Sequence, residues 1–306
     1  MDRPLRFGCV AREPWAGRAD WQERVRRIDG SGFDTLLVPD HIGMWSPFAP
    51  MLVAADVSDR LRFGTQVLNI ELWNPLLLAR EAATVDVFTD GRLELGFGAG
   101  HAEVEFRAAG IPYPPPGERV DHLTEMVDLV RRLLAGETVS GGPHYGLDDG
   151  ATGLGTVQSH VPFQVGGNGD RVLRLAARHA DIVGLVGFNS GTGQVHDDLS
   201  HFTWDGLAER VAFVRAEAGD RFDQLELSVL VQGVTATDDR DGAVVTIAER
   251  FGRPAGFIAD SPFLLIGSTT EIADQVRRLR DDHGVTYVTV FEPAVADLAP
   301  VIDALR

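Results

Sequence analysis

Short runs of aliphatic and β-branched residues alternate along the chain with longer segments whose apolar positions recur at helical spacing. Strands are predicted near 5–10 (LRFGCV), 35–39, 62–68, 92–97, 162–166, 182–186, 226–232 and 286–291. Each is short and nearly continuous in apolar character, as strands covered on both faces are. The intervening helices carry start signals with a mechanism. Asn74 can cap a free N–H ahead of Pro75, whose missing donor costs nothing at a first helical position. Ser268 and Glu271 have capping-box spacing, Ile272, Val276 and Leu279 form one stripe, and Gly284 ends the helix. A third helix is predicted over 118–135.

Eight strand–helix units in alternation predict an α/β fold, a (β/α)8 TIM barrel formed as a single domain by residues 1–306. Two Gly-rich or polar stretches, 139–156 and 187–203, fall outside the repeat and are expected as loop insertions over the site. The stretch 252–265 is expected to join them in lining the substrate pocket, without a readable motif. In a barrel the chemistry sits where strands end and helices begin. Those ends read Asp40-His41, then Gln66-Val67-Leu68-Asn69, then Gly98-Ala99-Gly100-His101, then Gly166-Gly167-Asn168-Gly169.

Asp40-His41 followed by Trp45 places an imidazole beside a carboxylate and an aromatic wall. Such a histidine can donate to a substrate or move a proton near neutral pH. Equally, Asp40 can cap the next helix while His41 packs at the rim. Gly166 to Gly169 lead from a strand into a helix, where free N–H groups and close backbone approach suit a phosphate and Arg171 can add charge. The same glycines serve a tight turn just as well. GFGAGHAE does not complete GxGxxG and lies far from the first strand, so it reads as a cradle for a flat ring or phosphate. His101, Glu103 and Glu105 are acid–base candidates there, or solvated residues of a helix start.

Composition narrows the chemistry. The net charge is −17 and all 28 basic residues are Arg, so Schiff-base lysines and the P-loop GK[ST] are excluded. An anionic ligand must be held by Arg and backbone N–H groups, and nucleic acid is not an expected partner. The single cysteine, Cys9, forms no internal disulfide and reads as core. The start lacks the apolar stretch of a secretory signal and no run is long enough to span a bilayer, so a cytoplasmic protein without membrane contact is expected. No HExxH and no GxSxG occur, and His196 and His201 are five apart, so no metal site or nucleophile elbow is expected.

The runs GFDTLLVPDH, RLRFGTQVLNIELWNPLLLAREAATVDVFTDGRLELGFGAGHAEVEF and PFQVGGNGDRVLRLAARHADIVGL resemble the bacterial luciferase-like superfamily of flavin and deazaflavin enzymes, most closely its actinobacterial F420-dependent oxidoreductases. The resemblance implies His41 at the reactive face of a deazaflavin and Trp45 on the pocket wall. It also implies a non-prolyl cis peptide at Gln66-Val67 behind the ring, and phosphate contacts from Gly98, Gly100, Gly166, Gly167 and Asn168. The sugar-phosphate dehydrogenases of the superfamily carry Glu where this chain has His101, and their substrate-gripping lysines have no counterpart, so a sugar phosphate is not the expected substrate.

The implied activity is hydride transfer between the C5 of F420 and a small organic substrate, oxidising an alcohol or reducing C=C or C=N. A reduced-FMN monooxygenase using O2 is the alternative, followed by a non-catalytic flavin-binding barrel. A homodimer is expected from the resemblance.

Overall fold

All eight predicted strands form, and their near-total burial explains why the runs lack polar alternation. In the computed structural model, which describes residues 3–188 and 198–306, they are β1 (Arg6–Val10), β2 (Thr35–Val38), β3 (Arg62–Thr65), β4 (Leu93–Gly98), β5 (Phe163–Gly167), β6 (Ile182–Leu185), β7 (Glu226–Val231) and β8 (Val285–Phe291). All pair in parallel in the order β3-β2-β1-β8-β7-β6-β5-β4, and β3 pairs with β4 to close the ring. The third run is shorter than predicted because pairing breaks at residues 66–67 and resumes at Leu68–Asn69.

The helices are α1 (Arg18–Gly30), α2 (Phe48–Ala55), α3 (Pro75–Phe88), α4 (Glu103–Ala109), α5 (Pro116–Leu134), α6 (Asp170–His179), α7 (Trp204–Ala218), α8 (Arg240–Phe251), α9 (Ala255–Ala259), α10 (Thr269–His283) and α11 (Val295–Leu305). The caps work as the sequence implies. Asn74 accepts from the N–H groups of Leu76 and Leu77, Ser268 and Glu271 make a reciprocal capping box, and Gly284 ends α10 in the left-handed region at φ 70°.

Polar side chains meet inside the ring at the N-terminal ends of the strands. Glu94 accepts from Arg6 at 2.8 Å and from Arg62 at 2.5 Å, and Glu226 lies 3.2 Å from Arg6. Although burial opposes the charge of Glu94, the two arginines outweigh it and hold its carboxyl below the usual range.

Two segments depart from the prediction. Residues 139–156, expected over the site, leave the C-terminal end of α5 and lead to the N-terminal end of β5, so they are anchored at the face opposite the strand C-termini. They contain a small hairpin, Val139–Gly141 against Leu147–Gly150, and the N–H groups of His144 and Tyr145 bind Glu125 on the side of α5. The second departure follows β7, where Gly233–Ala236 pairs in parallel with Leu264–Gly267 and α8 and α9 lie between them. A cavity of about 520 Å³ opens there, lined by Leu199, Gln232, Thr235, Arg250, Arg253 and Ile266 among others. Of the stretch 187–203, residues 189–197, His196 among them, lie outside the described residues.

Candidate active site

The turn after β2 divides the Asp40-His41 pair. Asp40 is 8% exposed and accepts from the Asn69 N–H at 3.2 Å and from the indole of Trp73 at 2.8 Å. Burial pushes its carboxyl up, while those two donors act in the opposite direction. Asp40 was a candidate catalytic group. The structure makes it the tie between the β2 turn and the segment after β3, and it caps no helix.

His41 lies in a tight turn closed by the Met44 N–H bonding back to the His41 carbonyl. Its Nδ1 sits 2.6 Å from Glu105 Oε1, and among the described residues no protein group bonds its Nε2. Glu105 is brought there by α4. Phe106 is fully buried beneath Gly100 and packs edge-on against Tyr113, which fixes the rotation of this short helix. Glu105 is thus no solvated helix-start residue; its side chain is 11% exposed.

The ring of His101 stands edge-on to that of His41 with centroids 5.8 Å apart. Burial first, then the charge of His41, holds the His101 imidazole below the usual histidine range, with Glu105 pulling the other way. The loop bearing His101 is pinned from α5. Arg119 donates to the carbonyls of Gly100 and Pro114 and lies over the Tyr113 ring, while the Tyr113 hydroxyl donates to the His101 carbonyl. Arg119 was missed by sequence reasoning. Its signal was a lone cation in register with Leu123 and Met126 on a buried helix stripe.

The peptide between Gln66 and Val67 is cis. Thr65 stitches the interruption to β4, its hydroxyl donating to the Gly96 carbonyl and accepting from the Gly96 N–H. A Cβ at Gly98 would stand 2.5 Å from the Val67 side chain, and one at Gly100 would stand 2.3 Å from Asn69 Oδ1. These two glycines let the chain's own third and fourth strands approach, a structural use the motif did not reveal. Ala99 lies half-buried between them.

At the end of β5, Gly166 faces Val67 with room to spare, whereas a Cβ at Gly167 would meet Val172 at 2.7 Å. Gly169 precedes α6 with no side-chain cap, so the first N–H groups of that helix lack side-chain partners at its start. Asn168 is buried and its amide nitrogen lies 3.0 Å from His201 Nδ1. Arg171 does not stand free for an anion. Its guanidinium bonds the Gly117 carbonyl and Asp121 on α5.

Three buried polar atoms around this mouth have no partner among the described residues: Gln66 Oε1, Asn69 Nδ2 and Asn168 Oδ1. Leaving such groups unpaired is costly, which points to a ligand that completes them. Trp45, 55% exposed, stacks on Trp15 at 6.0 Å and walls a cavity of about 210 Å³ shared with Met44, Pro39 and Glu13. Among the described residues no three His, Cys, Asp or Glu side chains gather as metal ligands.

Residues 11–261 match the family of luciferase-like monooxygenases. The chain belongs to that family. An F420-dependent glucose-6-phosphate dehydrogenase of Intrasporangium calvum is 31% identical over 270 residues, 84% of this chain and 76% of the relative. Two solved structures share the luciferase-like barrel at low identity. The coenzyme F420-dependent tetrahydromethanopterin reductase of Methanopyrus kandleri aligns at TM-score 0.78 and 18% identity, covering 99% of this chain and all of that one. An F420-dependent secondary alcohol dehydrogenase in complex with an F420-acetone adduct aligns at TM-score 0.79 and 19% identity over the same shares.

Proposed function

We propose that this luciferase-like chain is an F420-dependent oxidoreductase that moves a hydride between the deazaflavin C5 and a small organic substrate, an alcohol or an activated C=C or C=N bond. The observation that carries the reading is His41, gripped at Nδ1 by Glu105 and, among the described residues, unbonded at Nε2, beside a mouth with buried amide atoms left unpaired. The F420-dependent relative named above supports the cofactor. When bound, F420 supplies two-electron hydride chemistry at C5.

The chain's own share is positional. Asn69, Gln66 and Asn168 hold the cofactor's polar edges through the atoms now unpaired, and Gly166 leaves room beside Val67. The uncapped start of α6 takes the phosphate. His41 Nε2 holds or accepts the substrate proton, and Trp45 with Trp15 excludes water from one side. The relative named for glucose 6-phosphate does not fix this substrate, because a chain without Lys must grip any anionic group through Arg and backbone N–H groups. Arg250 and Arg253 line the cavity beyond β7, make no ion pair among the described residues and are the cations nearest to hand for such a group.

Fluorescence titration with F420, beside a parallel titration with FMN, tests the reading. F420 should bind at micromolar concentration. Tight FMN binding with substrate-dependent O2 consumption would replace this reading with a monooxygenase. The protein acts in the cytoplasm as a homodimer, the latter reading supported by Leu77, Val87 and Phe88 exposed along α3. No described helix is long and apolar enough to cross a membrane.

A further inference from the structure

A 2.6 Å contact at the mouth, between His41 and Glu105, joins residues from two different strand ends, the β2 turn and the helix after β4. From it we infer that Glu105 is a positioning residue that dictates which ring nitrogen of His41 carries the proton, an assignment that rests on the hydride-transfer reading for its use in catalysis. A neutral imidazole has one N–H and one lone pair, and an ionised carboxylate can only accept. With Glu105 Oε1 2.6 Å from Nδ1, the proton of the neutral ring is held at Nδ1. The lone pair is left on Nε2, the nitrogen that no described residue bonds. Without the carboxylate the two tautomers would be set by the ring's own preference, and the face toward the substrate would no longer be fixed.

The surroundings add to this assignment. Asp40, the other carboxylate beside the ring in sequence, is occupied by the Asn69 N–H and the Trp73 indole. His101 offers only a ring edge at 5.8 Å, and Arg119 is bound to the carbonyls of Gly100 and Pro114. Glu105 is therefore the group that bonds the ring. Its own placement is rigid, because Phe106 beside it is fully buried. The result is a base or hydrogen-bond acceptor at Nε2, which becomes an N–H donor once it takes a proton.

Imidazole ¹⁵N spectra of the cofactor-free protein, assigned with His41→Gln, read the tautomer directly. The wild type should show His41 protonated at Nδ1 in its neutral form. Glu105→Ala should move the population to Nε2–H, while Glu105→Gln, which keeps an acceptor and the side-chain shape, should retain a larger Nδ1–H share than the alanine variant. With F420 and a turned-over substrate, Glu105→Ala should lower kcat by about 10- to 100-fold, the range for an outer-shell partner of a working histidine. The Kd for F420 should change less than about threefold, with the glutamine variant intermediate in kcat. A wild-type ring protonated at Nε2, or an alanine variant with an unchanged tautomer or unchanged kcat, would overturn the assignment. Failure of the wild type to bind F420 would instead overturn the functional reading, and the spectra would still decide what Glu105 does to His41.

Discussion

The two ends of the barrel differ in how they handle charge. At the N-terminal ends of the strands, Glu94 binds Arg6 and Arg62 and closes the ring with charges that answer one another. At the C-terminal ends, among the described residues, His41 keeps one nitrogen free and the amides of Gln66, Asn69 and Asn168 each leave a buried atom unpartnered. Unpartnered buried atoms, which cost about 1–3 kcal/mol each, occur at both ends, Arg6 Nε, Thr35 Oγ1 and Thr286 Oγ1 being among them at the N-terminal one. The contrast therefore lies in charge: paired ions at one end, neutral amides and an imidazole at the other. The difference separates a face that holds the barrel together from a face prepared for a ligand, as expected of a fold whose sites gather at one end.

Substitutions at the two ends should therefore fail in different ways. His41→Ala should lower turnover by about 10²- to 10⁴-fold, the usual worth of a positioned acid–base group, with little change in the midpoint of thermal unfolding. Steady-state kinetics beside F420 titration measures the split, and equal loss of turnover and cofactor affinity would count against a catalytic role. Glu94→Ala should do the reverse. It leaves Arg6 with Glu226 alone and Arg62 with uncharged partners, and should cost up to about 3 kcal/mol in denaturant-measured stability, while the fraction that remains folded binds F420 normally. A stability loss at His41 as large as that at Glu94 would erase the contrast between the ends.

Asp40 lies between the two cases and sharpens them. It sits at the mouth but serves as an anchor, so Asp40→Ala should cost about 1–3 kcal/mol of stability by leaving the Asn69 N–H and the Trp73 indole unpaired. Cofactor affinity should fall with it, because the segment bearing Asn69 loses its tie. An Asp40→Asn variant, which keeps an acceptor oxygen and the shape, should recover much of both. Turnover lost with stability and affinity intact would return Asp40 to the catalytic group.

The barrel was legible because its determinants are local: apolar runs bounded by glycine and proline, and caps whose donors and acceptors lie within one turn, as at Ser268 and Glu271. The mouth was legible only as a set of positions. Nothing near Asp40-His41 reveals which member is buried, since the indole that claims Asp40 comes from Trp73 and the carboxylate that claims His41 comes from Glu105. The glycines of GFGAG are ambiguous for a related reason. A residue without a Cβ admits a ligand or another strand equally well, and only the register of β3 against β4 tells which. Residues 237–263 were hidden because a helical excursion after β7 continues the strand–helix alternation that defined the repeat.

The smallest expected effect concerns protons at the mouth. His101 is held below the usual histidine range chiefly by burial, so its folded form binds a proton more weakly than its unfolded form. Where the unfolded chain binds more protons, stability rises with pH. The contribution of His101 is then fully present above the unfolded value of about 6.5 and is lost as pH falls below it through the folded value. His179 and His283 are lowered by burial in the same direction, so His101→Gln should flatten only part of the acid-side slope. Urea unfolding at intervals from pH 7.5 down to 5 measures it. A variant slope as steep as the wild type's would mean that the His101 ring is solvated, and that the C-terminal end of the barrel is wetter than its packing implies.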